Sequence, residues 1–110
     1  MSLQKKNLNE FGLSETTMAE IRTIYTRHPA VRRVIVYGSR AMGNFREGSD
    51  IDMTIIADED FAPNELFHIM GEFDDSMLPY LVDISVFSEL KNPDLISHIN
   101  RRGKILYERP

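Results

Sequence analysis

The sequence predicts an α/β fold, a β-sheet with helices packed on it, and three observations carry that expectation. Apolar runs rich in β-branched residues alternate with helix-periodic segments in the order α-β-α-β-α-β-α-β. Hydrophobic residues make up 42% and charged residues 27%, as in an ordinary globular protein. A length of 110 residues suits one core, so residues 1–110 are expected to form a single domain.

The first helix is expected from near Ser14, with Thr17 and Glu20 at capping-box spacing and Met18, Ile21, Ile24, Tyr25 and His28 recurring at helical period. Pro29 stops it. Val31 to Tyr37, with Val34-Ile35-Val36 at its centre, reads as a strand buried on both faces. Gly38-Ser39 then turns into a short helical piece, and Gly43, Asn44, Gly48 and Ser49 mark a loop. In the strand from Asp50 to Ala57, Ile51, Met53, Ile55 and Ala57 share one face while Asp50, Asp52 and Thr54 share the other. Ala62-Pro63 opens a helix whose Leu66, Ile69, Met70, Phe73 and Met77 form an apolar stripe, bounded by Pro79. The strand from Tyr80 to Phe87 puts Val82, Ile84 and Val86 on one face and Leu81, Asp83 and Ser85 on the other. Asn92-Pro93 starts the last helix, with Leu95, Ile96 and Ile99 inward and Gly103 as its stop, and Ile105 to Tyr107 forms a final short strand.

Composition excludes several function classes. Thirteen Lys plus Arg against 17 Asp plus Glu leave a net charge of −4, which argues against a broad nucleic-acid surface. With 0 Cys there is no disulfide scaffold, thiolate metal site or cysteine nucleophile, so a metal would bind through oxygen or histidine. No apolar run is long enough to span a membrane and no signal-peptide core precedes the fold, so no membrane partner and a cytoplasmic location are expected. Met1-Ser2-Leu3 has the look of an expression leader and carries no argument.

Three carboxylates stand where a core strand normally carries Val or Ile: Asp50, Asp52 and Asp83. Clustered carboxylates repel unless a cation neutralises them, and hard ions such as Mg²⁺ bind through carboxylate oxygen while keeping positions for water and phosphate. The Asp-x-Asp spacing puts two such groups about 7 Å apart on one strand face. Two ions about 3.5 to 4 Å apart can stabilise both the attacking and the leaving oxygen of phosphoryl transfer. At Gly38-Ser39, a glycine lets backbone approach a phosphate and a serine offers a hydroxyl. Each signal alone is common, an isolated Asp-x-Asp being most often a solvated strand edge.

Together they are specific. Gly38-Ser39, ten intervening residues, Asp50-Ile51-Asp52 followed by Met53-Thr54-Ile55-Ile56, and later Leu81-Val82-Asp83-Ile84-Ser85 resemble the nucleotidyltransferase superfamily that includes DNA polymerase beta, over residues 31 to 87. The short chain is similar to its small branch, the minimal nucleotidyltransferases. The resemblance implies a mixed sheet with flanking helices, metal ligation of two Mg²⁺ (or Mn²⁺) by Asp50, Asp52 and Asp83, and contact of Gly38, Ser39 and Arg40 with the phosphates of ATP or another nucleoside triphosphate. It also implies that Asp83 activates the acceptor oxygen. Where many members read Gly-Ser-Arg-Ala-Arg-Gly, this chain has Met42 in place of the second Arg, with Arg46 as a substitute cation or a solvated loop residue.

The activity implied is transfer of a nucleoside monophosphate, AMP from ATP, to a hydroxyl, with pyrophosphate released. Members of this size are often paired with a helical HEPN toxin, and some act as antitoxins that modify a tyrosine of it. About 110 residues leave little surface to enclose both base and acceptor, which favours a partner chain and leaves homo-oligomer formation open. The competing reading is a non-catalytic, antitoxin-like module that neutralises its partner by contact; a third is transfer to a small acceptor such as an aminoglycoside.

The remaining polar clusters have bland readings. Glu72, Asp74 and Asp75 read as a solvated helix face, and His28, His68 and His98 lack metal-ligand spacing. Arg101-Arg102 complements a helix dipole. Met42 and Phe45 are expected to pack under the loop, with a partner surface as the alternative.

Overall fold

In the computed structural model, which describes residues 8–110 and so leaves the Met1-Ser2-Leu3 reading outside, the elements follow the expected order. They are α1 (Glu15–Thr26), β1 (Val31–Tyr37), α2 (Ser39–Met42), β2 (Ile51–Ala57), α3 (Glu65–Asp74), β3 (Val82–Val86), α4 (Pro93–Arg102) and β4 (Lys104–Glu108). A 3-10 turn, Phe87–Glu89, follows β3. The sheet order is β3-β2-β1-β4. β1 pairs antiparallel with β2 and β4, whereas β2 and β3 are parallel, so the sheet is mixed. The parallel pair requires a crossover, and α3 supplies it.

Ser14 caps α1, its hydroxyl accepting from the Thr17 N–H at 3.2 Å. The Thr17–Glu20 spacing therefore does not cap the helix, because Thr17 is already its buried third residue. Met18, Ile21, Ile24 and Tyr25 carry the buried stripe, and Tyr25 stacks on Phe73 of α3 and Tyr107 of β4. With Val34, Val36, Ile51, Met53 and Ile55 fully buried beneath them, α1 and α3 cover one face of the sheet.

The opposite face is only partly covered. α4 lies against it through Ile99 and the Gly103 backbone, where an added Cβ would meet Ile35 at 2.5 Å. This corrects the expectation that β1 is buried on both faces: Arg32 is exposed and Ile35 only half-buried, with a register irregularity between Val31 and Arg33. The apolar stripe of α3 is likewise shorter than expected. The helix ends at Asp74, so Met77 lies beyond it and is exposed, as is Met70, while Ile69 and Phe73 carry the burial. β3 is an edge strand of five residues, narrower than the Tyr80–Phe87 run, and Leu81 is 74% exposed.

Candidate active site

The site occupies the open face, at the end of the sheet where β1 stops and β2 and β3 start. Tyr37, last in β1, pairs with Asp52 in β2, and Asp52 pairs with Asp83 in β3. In-register partners point to the same side, so the two carboxylates adjoin on neighbouring strands about 4.8 Å apart at the backbone. Asp50 precedes β2 by one residue and is exposed. Asp83 is exposed and Asp52 half-buried, which corrects the picture of carboxylates in a buried strand interior; the incomplete cover of this face leaves them accessible.

Gly38 has φ +74°, and a Cβ there would meet Asp52 Oδ2 at 2.5 Å. Glycine is required twice over, for its backbone conformation and for the notch that the Asp52 carboxylate fills. Ser39 follows as the first residue of α2, half-buried beside that notch. The Gly38 N–H donates to His98 Nε2 at 3.2 Å, and the His98 ring meets Tyr37 edge-on with centroids 6.2 Å apart.

Burial, then the like charges of Asp83 and Asp50, push the Asp52 carboxyl above its ordinary value, while His98 pulls the other way. Burial and the charges of Asp83 and Asp52 push the Tyr37 phenol up, against a hydrogen bond with Ser85. Both shifts express the same crowding of negative charge, which a cation would relieve. Among the described residues no three acidic or histidine side chains form a ready-made cage. The donor set nevertheless fits a hard divalent ion: oxygen ligands only, two of them adjacent, and a notch that keeps Asp52 beside the Gly38-Ser39 turn.

Arg40 follows Ser39 at the turn, and its side chain points inward. Its side chain is 2% exposed and donates to the backbone carbonyls of Ser49 and Phe11, between the rings of Phe45 and Tyr80. The guanidinium faces the interior, where the carbonyls that satisfy it lie. Phe45 thus packs as the core reading expected, whereas Met42 is 47% exposed. Arg46 is an exposed loop residue whose N–H donates to Ser49 Oγ.

His98 and Tyr37 are the residues that sequence reasoning passed over. Tyr37 carried a usable signal, an aromatic at the strand end beside Gly38-Ser39. His98 carried none, since its place is set by how α4 docks. Of the other two histidines, His68 is exposed, and His28 joins Glu65 at 2.9 Å and Glu72. Glu72 is accordingly no solvated face residue; it clasps α3 to α1 through His28 and Arg27.

The sequence profile described as "Polymerase beta, Nucleotidyltransferase" matches residues 19–110. The chain belongs to that family. It is 30% identical over 106 residues to the protein adenylyltransferase MntA of Aphanizomenon flos-aquae (strain 2012/KM1/D3), covering 86% of this chain and 71% of the relative. It is a nucleotidyltransferase of the minimal type. Solved structures share the fold. A toxin–antitoxin complex with AMP-PNP aligns with a TM-score of 0.66 at 18% identity, over 83% of this chain and 73% of the other. A mutant MntA–HpeT toxin–antitoxin complex gives 0.62 at 17%, over 87% and 74%. A nucleotidyltransferase-like protein of Sulfolobus solfataricus gives 0.55 at 16%, over 84% and 77%. Among the described residues no helix is long and apolar enough to cross a membrane.

Proposed function

We propose that this domain transfers AMP from ATP to a hydroxyl of a partner protein, a tyrosine of a HEPN-type toxin, and so acts as its antitoxin. The observation that carries this reading is the in-register pair Asp52 and Asp83, set beside a turn whose glycine leaves room for the Asp52 carboxylate. Further support comes from the relative named a protein adenylyltransferase and from the AMP-PNP in a structurally similar toxin–antitoxin complex.

Asp50, Asp52 and Asp83 would hold two Mg²⁺ ions, which when bound supply positive charge to the phosphates and the attacking oxygen. Gly38 and Ser39 seat the β- and γ-phosphates through backbone approach and the Ser39 hydroxyl. Asp83, exposed where Asp52 is half-buried, takes the proton of the acceptor hydroxyl as its oxygen attacks the α-phosphorus. The new P–O bond forms as the bond to the β-phosphate bridge breaks, and pyrophosphate leaves. The open face admits a protein acceptor, because Asp83 is exposed and none of the described residues forms a second layer over it.

The test is incubation with ATP labelled on the α-phosphate, Mg²⁺ and the protein encoded beside this one. Label on the partner, lost with Asp52→Asn, is the expected result. A second reading, neutralisation by contact alone, is favoured by the exposed apolar side chains Phe67, Met77 and Leu81. Partner inhibition without label on either protein would establish it.

A further inference from the structure

Arg40 is buried, yet no carboxylate among the described residues pairs with it. A buried cation is costly unless other groups replace its lost water. Here backbone carbonyls do so. Nε and Nη2 donate to the Ser49 carbonyl at 3.1 and 2.9 Å, and Nη1 donates to the Phe11 carbonyl at 2.8 Å and, more weakly, to Gly12 at 3.5 Å. The guanidinium carbon lies 5.1 Å from the Phe45 ring centre and 4.7 Å from that of Tyr80.

The segments gathered by this one side chain are those that carry the site. Arg40 follows Ser39 directly. The Ser49 carbonyl belongs to the peptide bond that leads into Asp50, and the turn before it is closed by Ser49, which accepts from the Arg46 N–H at 2.8 Å and donates its own N–H to the Arg46 carbonyl at 3.0 Å. Tyr80 precedes Leu81, whose carbonyl takes the Ile51 N–H at 3.0 Å and starts the β2–β3 pairing that brings Asp83 to Asp52. The N-terminal segment is pinned to the same centre, since Phe45 lies where a Cβ on Gly12 would stand.

We propose that Arg40 is the positioning residue of the site: its guanidinium holds the Ser49–Asp50 peptide and the Tyr80 lead-in to β3 against the Gly38–Ser39 turn, and so sets the spacing of the carboxylates without touching nucleotide. This rests on the metal-binding role proposed for Asp50, Asp52 and Asp83. A forked donor with two N–H groups on one carbonyl is a geometry that lysine cannot reproduce, even with its charge kept.

The test compares wild type with Arg40→Lys by three readouts: thermal melting, Mn²⁺ binding in the presence of ATP followed by the spin resonance of free Mn²⁺, and amide exchange of residues 44–51 and 80–83. Arg40→Lys is expected to melt cooperatively, to bind Mn²⁺ about tenfold or more weakly, and to exchange faster in both segments. A merely structural role lowers the melting temperature but leaves Mn²⁺ affinity, measured well below the melt, unchanged; that result overturns the proposal. If Arg40→Lys does not melt cooperatively, Phe45→Leu removes one ring while keeping every donor, and is expected to weaken Mn²⁺ binding to a smaller degree. Wild-type affinity in that variant overturns the proposal equally. Failure of the wild type to bind Mn²⁺ with ATP would instead refute the metal reading, and the exchange data then decide Arg40: unchanged protection of residues 44–51 in the variant overturns its role.

Discussion

Asp52 is the residue on which charge crowding is most concentrated, and the crowding has a thermodynamic sign. Its folded-state pKa is raised, by burial and by Asp83 and Asp50. A carboxylate raised in this way contributes stability only at low pH, and that contribution is lost as pH rises through the folded value. At neutral pH the metal-free site is therefore destabilising, and Asp52→Asn should raise the melting temperature of the metal-free protein. Added Mn²⁺ should reverse the order: wild type gains about 2.7 kcal/mol when free ion is a hundredfold above its dissociation constant, and the variant gains little. Melting curves of both proteins with and without Mn²⁺ check this, and an unchanged difference between them would refute it. Gly38→Ala adds a Cβ 2.5 Å from Asp52 Oδ2 at a positive φ, so it should cost about 1 to 3 kcal/mol in denaturant titrations. His98→Ala frees the Gly38 N–H and should raise the KM for ATP more than it lowers kcat, because the histidine holds the turn and not the acceptor.

At the scale of elements, α1 and α3 are joined over the sheet by Tyr25 on Phe73 and by His28 between Glu65 and Glu72. Burial acts to raise the Glu72 carboxyl, but hydrogen bonds from His28 and Arg27 outweigh it and hold it below its ordinary value. A depressed folded pKa gives stability that is present above the unfolded value, about 4.3, and is lost as pH falls through the folded one. Glu72→Gln should therefore lower the melting temperature at neutral pH, and the gap from wild type should close as the pH falls through the folded value. A gap independent of pH would show that the clasp acts by packing alone. This pairing was illegible in the sequence, where His28 and Glu72 lie 44 residues apart and Glu72 reads as part of a solvated helix face. The strand elements were legible for a local reason: β1 is bounded by Pro29 and Gly38, so its limits are written in backbone chemistry. The ends of α3 and β3 were not, because Met77 and Leu81 are as apolar as the core residues beside them and only tertiary cover tells them apart.

For the whole molecule, the one-sided cover of the sheet is what makes a site. α1 and α3 bury one face, and α4 covers the other only in part, leaving Asp52 and Asp83 on open ground beside Gly38 and Ser39. The spacing of Gly38-Ser39, Asp50-x-Asp52 and Asp83 was readable because strand period two fixes which side chains share a face. The inward turn of Arg40 was not, since it depends on carbonyls of Phe11 and Ser49 that only the fold assembles. The turn and the carboxylates are proposed to form one metal-dependent nucleotide site. Titration calorimetry of ATP into the protein tests it most directly, with excess Mg²⁺ or with EDTA, for wild type and Asp52→Asn. Wild type is expected to bind ATP with Mg²⁺, and that binding to be lost both in EDTA and in the variant; equal affinity with and without the metal would contradict this.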